Sequence, residues 1–228
     1  MNRNQDVVSS YQDAPTRTVA AGGVDFAYRE LGPQAGVPVV FLTHLAAVLD
    51  NWDPRVVDGI AAHHRVIAFD NRGVGATTGT TPKSIQAMAA DAVTFIRALG
   101  LTKVDLLGFS MGGMIAQVIT QTEPDLVRKL IIAGTGPAGG EGIKNVTRIS
   151  NLDTVRALLT LQDPKQFLFF TRTSNGKRAG KEFPTKNTHD LAKRLPDSEL
   201  VIYPDAGHGG IFQFHAQFVD KALEFLAR

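Results

Sequence analysis

KVDLLGFSMGGMIAQVITQT, residues 103–122, decides the fold. Residues 103–110 form a short apolar run, the mark of a strand covered on both faces. A helix over 111–122 follows it with no linker. At the junction, Gly108-Phe109-Ser110-Met111-Gly112 fits G-x-S-x-G. Glycines on both flanks allow a turn tight enough to hold the serine in a strained conformation, with its Oγ exposed above the sheet. The N–H of Met111, at the start of the helix, then points at any oxyanion formed on a carbonyl attacked by Ser110. Ser110 is therefore the candidate nucleophile.

The same texture extends in both directions. Residues 37–43 (VPVVFLT), 65–70 (RVIAFD) and 129–133 (KLIIA) are further short apolar strands. Residues 16–20 and 24–31 read as two strands around the Gly22-Gly23 turn, the second alternating apolar and polar positions. Helical spacing predicts helices over 53–64 and 84–99, the latter with Ser84 as N-cap and Gly100 as its stop. Strand and helix alternate, which implies a parallel sheet with right-handed crossovers: a doubly wound α/β fold with helices on both faces. Toward the C-terminus, 187–195 reads as a helix, 199–203 (ELVIY) as a strand and 216–226 as a closing amphipathic helix. Between Gly134 and Pro184 a Gly-rich loop (GTGPAGGEG) leads into helix-like pieces at 153–161 and 164–171 and a polar run, SNGKRAGKEF. This divides the chain into 1–135, the N-terminal part of the core, 136–183, a shortened cap or linker, and 184–228, the C-terminal part of the core.

Composition narrows the function classes. Apolar residues make up 43% and charged residues 20%, as in a globular chain with a real core. The formal charge is +2 without a basic run, so nothing electrostatic calls for nucleic acid or an anionic membrane. There are no cysteines, which removes thiolate metal sites and a cysteine nucleophile together. Residues 1–17 are polar with no apolar h-region, and no apolar stretch reaches the roughly 20 residues of a membrane helix, so a cytoplasmic location is expected. No His, Asp and Glu set has metal-ligand spacing. Gly134-Thr-Gly-Pro-Ala-Gly139 satisfies G-x-G-x-x-G, but Pro137 interrupts it and no helix opens at Gly139, so it reads as a loop and no cofactor is implied.

A nucleophilic serine needs a base. His208 lies in Asp205-Ala-Gly-His-Gly-Gly, a Gly-rich loop just past the ELVIY run. In a parallel sheet the C-terminal end of that run faces the same edge as the Ser110 turn, where sites of open α/β sheets collect. His63 and His64 close a helix, His189 sits on one and His215 starts one. His208 is the candidate general base.

Together these residues resemble the α/β-hydrolase superfamily over nearly the whole chain. Phe41-Leu-Thr-His44 corresponds to the strand entering that family's oxyanion loop, and Phe69-Asp70-Asn-Arg-Gly73-Val-Gly75 to the turn after its next strand. GFSMGG and YPDAGHGGIFQ are most similar to the esterase, enol-lactonase and cofactor-free haloperoxidase group. The resemblance implies that the N–H of Ala46 joins that of Met111 in the oxyanion hole. It also implies a small ester or lactone as substrate, with water or hydrogen peroxide taking the acyl group. Oligomeric state stays open. Where the family has His-Gly, this chain has His44-Leu45, and leucine does not adopt φ > 0 cheaply, so the loop is expected to run differently.

One family element has no counterpart. The order Ser, acid, His needs an acidic residue after a strand lying before Pro184; GKRAGKEF stands there instead. Asp205, Glu182 and Glu141 are the available substitutes. Asp205 reads as bonded to its own loop, Glu182 as solvated, and Glu141 as several residues too late. A missing acid leaves two outcomes open: a slow hydrolase, or a ligand-binding or regulatory protein that keeps the fold and turns over little.

Overall fold

The computed structural model describes residues 10–137 and 185–228. Expectations made on 138–184, including the helices at 153–161 and 164–171, Glu141 and Glu182, lie outside the described residues. The chain divides into two compact units, Met1–Ala133 with Ala216–Arg228, and Gly134–His215.

The first unit carries a six-stranded sheet in the order β1-β2-β4-β3-β5-β6. Its strands are β1 (Arg17–Ala21), β2 (Val24–Leu31), β3 (Val39–Leu42), β4 (Val66–Phe69), β5 (Val104–Phe109) and β6 (Val127–Ala133). β1 pairs antiparallel with β2, and β2 antiparallel with β4; the remaining pairs are parallel. The chain leaves β3 through α1 (Pro54–Ala61) to β4 on one side. It then crosses through α2 (Ile85–Ala98) to β5 on the other. The strand order therefore reverses at β3, and in open α/β sheets the crevice at such a reversal is where ligands bind.

Local chemistry explains the helix limits. Asp53 caps α1 by accepting the Arg55 N–H at 2.9 Å, with Pro54 in the first position, where a missing N–H costs nothing. Ser84 caps α2 through the Ala87 N–H at 3.2 Å, and Gly100 at φ 74 ends it. α3 (Met111–Thr122) begins directly after β5, as the unbroken 103–122 stretch predicts.

Helices cover both faces, so β3, β4 and β5 are buried throughout. Val40, Leu42, Ile67, Phe69, Val104 and Leu106 meet α2 and α3 in one core cluster. Within it the rings of Phe69 and Phe95 stack at 4.3 Å. The opposite face carries Phe41, whose ring meets that of Trp52 edge-on at 4.9 Å. It also receives α6 (His215–Ala227), whose C-terminal carbonyls are held by β6. Lys129 Nζ donates to Phe225 O at 2.7 Å and Leu226 O at 3.0 Å. Arg128 Nη2 reaches Leu226 O at 3.4 Å while its guanidinium pairs with the fully buried Asp105. These last carbonyls have no helical partner, and cations suit that end of a helix.

The second unit contains α4 (Thr185–Arg194) and α5 (Gly210–Gln213). Here one expectation is corrected. Residues 199–203 are not a strand, and Leu200, Val201 and Ile202 are 38%, 40% and 48% exposed. An apolar run becomes a strand only when a neighbour takes its backbone groups, and among the described residues the sheet ends at β6.

No helix among the described residues is long and apolar enough to cross a membrane.

Candidate active site

Ser110 stands between β5 and α3 at φ 55, ψ −115. That ψ lies far from the small left-handed well open to L-residues, so the position is one that glycine accepts and serine resists. The surroundings enforce it. The Ser110 N–H donates to Ala133 O at 2.9 Å, extending the parallel ladder by one bond, and Ser110 O accepts the Gly113 N–H at 3.0 Å, opening the helix. The chain must turn from strand to helix between those two bonds.

The flanking glycines are steric requirements. A Cβ on Gly108 would strike Gly112 O and the backbone of Gly113, and one on Gly112 would overlap Leu42 O. The start of α3 therefore rests directly on the end of β3. As the first residue of α3, Met111 has no intrahelical acceptor for its N–H, and that end of the helix attracts negative charge.

The loop after β3 starts next to the Ser110 turn, because Leu42 pairs with Gly108. Leu45 is not among the residues with positive φ; Ala46 takes that conformation at φ 56. Leu45 instead projects outward, 63% exposed. The turn closes with the Ala47 N–H on His44 O at 3.3 Å. His44 is buried with its ring edge-on to Phe109 at 5.5 Å and its Nδ1 2.9 Å from Leu45 O.

The sequence placed Asp70 in the turn after β4 but gave it no role at this loop. Asp70, at the C-terminal end of β4, accepts the Leu49 N–H at Oδ1 (2.8 Å) and the Ala76 N–H at Oδ2 (3.0 Å). Burial pushes its carboxyl above the ordinary 3.8, against the opposing pull of the Ala76 and Leu49 amides. Beside it, Asn71 Nδ2 donates to Thr43 Oγ1 at 3.2 Å. The available signal was an aspartate ending an apolar strand with Gly75 five residues on, at φ 57.

Ser110, Met111 and Ala46 thus belong to one unit and one sheet edge. His208 belongs to the other unit, half-buried in a loop whose geometry stands by itself. That loop is braced by Gln213, whose Nε2 donates to Asp205 O at 3.3 Å and whose Oε1 accepts the Gly207 N–H at 3.4 Å. The Gly210 N–H closes it on Gly207 O at 3.1 Å. Asp205 is exposed at φ 57. The rings of Tyr203 and Phe214 stack at 5.2 Å across its base.

A doubly wound sheet whose order reverses beside a strained Gly-Phe-Ser-Met-Gly turn is the architecture of hydrolase-type α/β proteins. The chain belongs to the alpha/beta hydrolase fold family, whose model matches residues 37–173. Among solved structures, an alpha/beta hydrolase fold protein from Chitinophaga pinensis is 30% identical with a TM-score of 0.84, covering 95% of this chain and 98% of that one. The enol-lactonase from Burkholderia xenovorans shares the fold, with a TM-score of 0.71 at 16% identity over 93% of this chain and 100% of that one. A non-heme chloroperoxidase of Streptomyces lividans is 32% identical over 117 residues, 50% of this chain and 42% of its own. The chain spans about half the length of the first curated relatives it matches, 42% to 51% of each.

Proposed function

We propose that the chain is a serine hydrolase that cleaves a small ester or lactone through an acyl-enzyme. Ser110 Oγ attacks the carbonyl carbon while His208 takes the hydroxyl proton. The oxyanion is held by the N–H groups of Met111 and Ala46. Collapse of the tetrahedral adduct breaks the C–O bond, and His208 returns the proton to the leaving alkoxide. Water then attacks the acyl-enzyme, again giving up its proton to His208, which releases the acid and regenerates Ser110.

The observation that carries this reading is the Ser110 backbone at φ 55, ψ −115, wedged between glycines that cannot bear a Cβ. Strain of this kind persists where a side chain has to be presented. The orienting acid is unassigned, with Asp205 the one candidate among the described residues. Where a serine protease loses its triad aspartate, turnover falls about 10⁴-fold and a residue of activity survives. A slow enzyme is the corresponding expectation.

The test is intact-mass analysis after incubation with a fluorophosphonate, native chain against Ser110→Ala. One adduct, absent from the variant, supports the reading. No adduct on a folded chain sinks it and favours a ligand-binding protein on the same fold.

The chloroperoxidase similarity favours a second reading at the same residues. Hydrogen peroxide would replace water, converting the acyl-enzyme into a peracid and free Ser110. Peracid formation that needs both a carboxylic acid or ester and peroxide, and that fails in Ser110→Ala, distinguishes it.

A further inference from the structure

We infer that Asp70 is a positioning residue for the oxyanion loop: by accepting the Leu49 N–H it holds Ala46 in the left-handed conformation that aims its amide. The inference rests on the role given above to Ser110 and Ala46.

Ala46 at φ 56 is a conformation that an alanine leaves unless both flanks are fixed. Upstream, the flank is the end of β3, locked in register by Leu42 against Gly108. Downstream, it is Leu49, held at both backbone groups: its N–H by Asp70 Oδ1 at 2.8 Å, and its carbonyl by the Tyr11 hydroxyl at 2.9 Å. Between these anchors the Val48 N–H donates to Asn51 Oδ1 at 3.0 Å.

Asp70 is suited to serve as an anchor because it cannot drift. Its N–H donates to Ala27 O at 2.9 Å, and its carbonyl accepts from Thr77 Oγ1 at 2.9 Å. Thr77 Oγ1 in turn accepts the Ala27 N–H at 2.9 Å. The following turn closes around the carboxylate, since a Cβ on Gly75 would run into Asp70 Oδ2. The residue is 3% exposed, so water does not compete for its bonds. A carboxylate that served only its own turn would need the Ala76 N–H alone. The second oxygen is committed to a residue 21 positions earlier, in the loop after the neighbouring strand.

The experiment compares the full chain with Asp70→Asn, which keeps the shape but turns one acceptor into an N–H₂ facing a donor. Fluorophosphonate inactivation of Ser110 is resolved into kinact and KI, and amide exchange is followed over residues 44–49. Loss of a whole oxyanion donor costs about 10²- to 10³-fold. A displaced one is expected to lower kinact roughly ten- to a hundredfold with KI within about twofold. Faster exchange at Leu49 should accompany it.

Ala46→Gly in the Asp70→Asn background should restore part of kinact, because glycine takes φ > 0 without penalty. Leu49→Pro attacks the same bond from the other side. It deletes the donor at the first position of the short helix Leu49–Asn51, where proline is tolerated, and should reproduce the kinact loss if Asp70→Asn does not fold. An unchanged kinact in a folded variant with faster Leu49 exchange overturns the inference. So does an equal change in kinact and KI, the mark of a general loosening. If the native chain takes no label, the hydrolase reading fails separately. Exchange over 44–49 then decides the loop claim: increased in Asp70→Asn, it stands; unchanged, it falls.

Discussion

Replacing Ser110 with glycine should make the protein more stable than replacing it with alanine. Ser110 sits at φ 55, ψ −115. Alanine keeps the Cβ and therefore the strain, which costs about 1–3 kcal/mol for a non-glycine residue in a sparsely populated region. Glycine removes it but gains freedom in the unfolded chain, an offset of roughly 0.5–1 kcal/mol. The balance is about 1 kcal/mol in favour of Ser110→Gly. For a chain of this size that is a midpoint about 2–4 °C higher on heating, or roughly 0.5 M higher in urea at a slope near 2 kcal/mol per M. Fluorescence of Trp52, the single tryptophan, reads the relevant unit, because it is buried against Phe41 of β3. Both variants lack the hydroxyl, so lost side-chain hydrogen bonds cancel between them. Equal midpoints, or a lower one for Ser110→Gly, would mean that the turn stores no strain, and the carrying observation for the hydrolase reading would lose its force.

Three further outcomes are expected. Gly112→Ala drives a methyl into Leu42 O and should cost about 1–3 kcal/mol, read as a lower urea midpoint together with slower labelling of Ser110. Arg128→Met strands the fully buried Asp105 carboxylate and should cost roughly 3–5 kcal/mol, most of it recovered in Arg128→Met with Asp105→Leu; a double variant as weak as the single one would refute this. Burial holds the Asp70 carboxyl above 3.8, so the folded chain binds that proton more tightly than the unfolded one. The contribution of this group to stability is present below its ordinary value and is lost as pH rises through the raised one. Urea melts across that acid range should therefore show the native chain losing stability relative to Asp70→Asn as pH rises, and the opposite slope would contradict the burial argument.

What was legible in the sequence was local, and what escaped it was not. The Ser110 turn was legible because its whole requirement sits within five residues, Gly108 to Gly112: a strand end, a strained centre, and two positions where a Cβ would strike backbone. The caps Ser84 and Gly100 were legible for the same reason. Glu199–Tyr203 has the composition of a strand, yet strand formation depends on a partner, which no window of residues contains. Asp105 lies inside a run that reads as apolar. Only the pairing of β5 with β6 brings Arg128 to it, 23 residues later in the chain.

The site divides in the same way. Ala46 was identified through the loop that follows β3, but not as the left-handed residue: the sequence drew attention to position 45, and the positive φ falls on Ala46. What we infer to hold that conformation is a carboxylate just past the end of the neighbouring strand, and no local pattern around Ala46 contains it. The two backbone donors of the proposed oxyanion hole are therefore set by different physics. Met111 is aimed by the first turn of its own helix and should tolerate distant substitutions. Ala46 is aimed by β3 on one side and Asp70 on the other. Substitutions around Asp70 and Gly75 should thus reach the chemistry through Ala46 alone, leaving the Ser110 turn and its strain intact. Ser110→Gly should accordingly exceed Ser110→Ala in stability by the same margin with or without Asp70→Asn. A margin that collapses in the Asp70→Asn background would show that one framework holds both donors, and that the separation drawn between them is wrong.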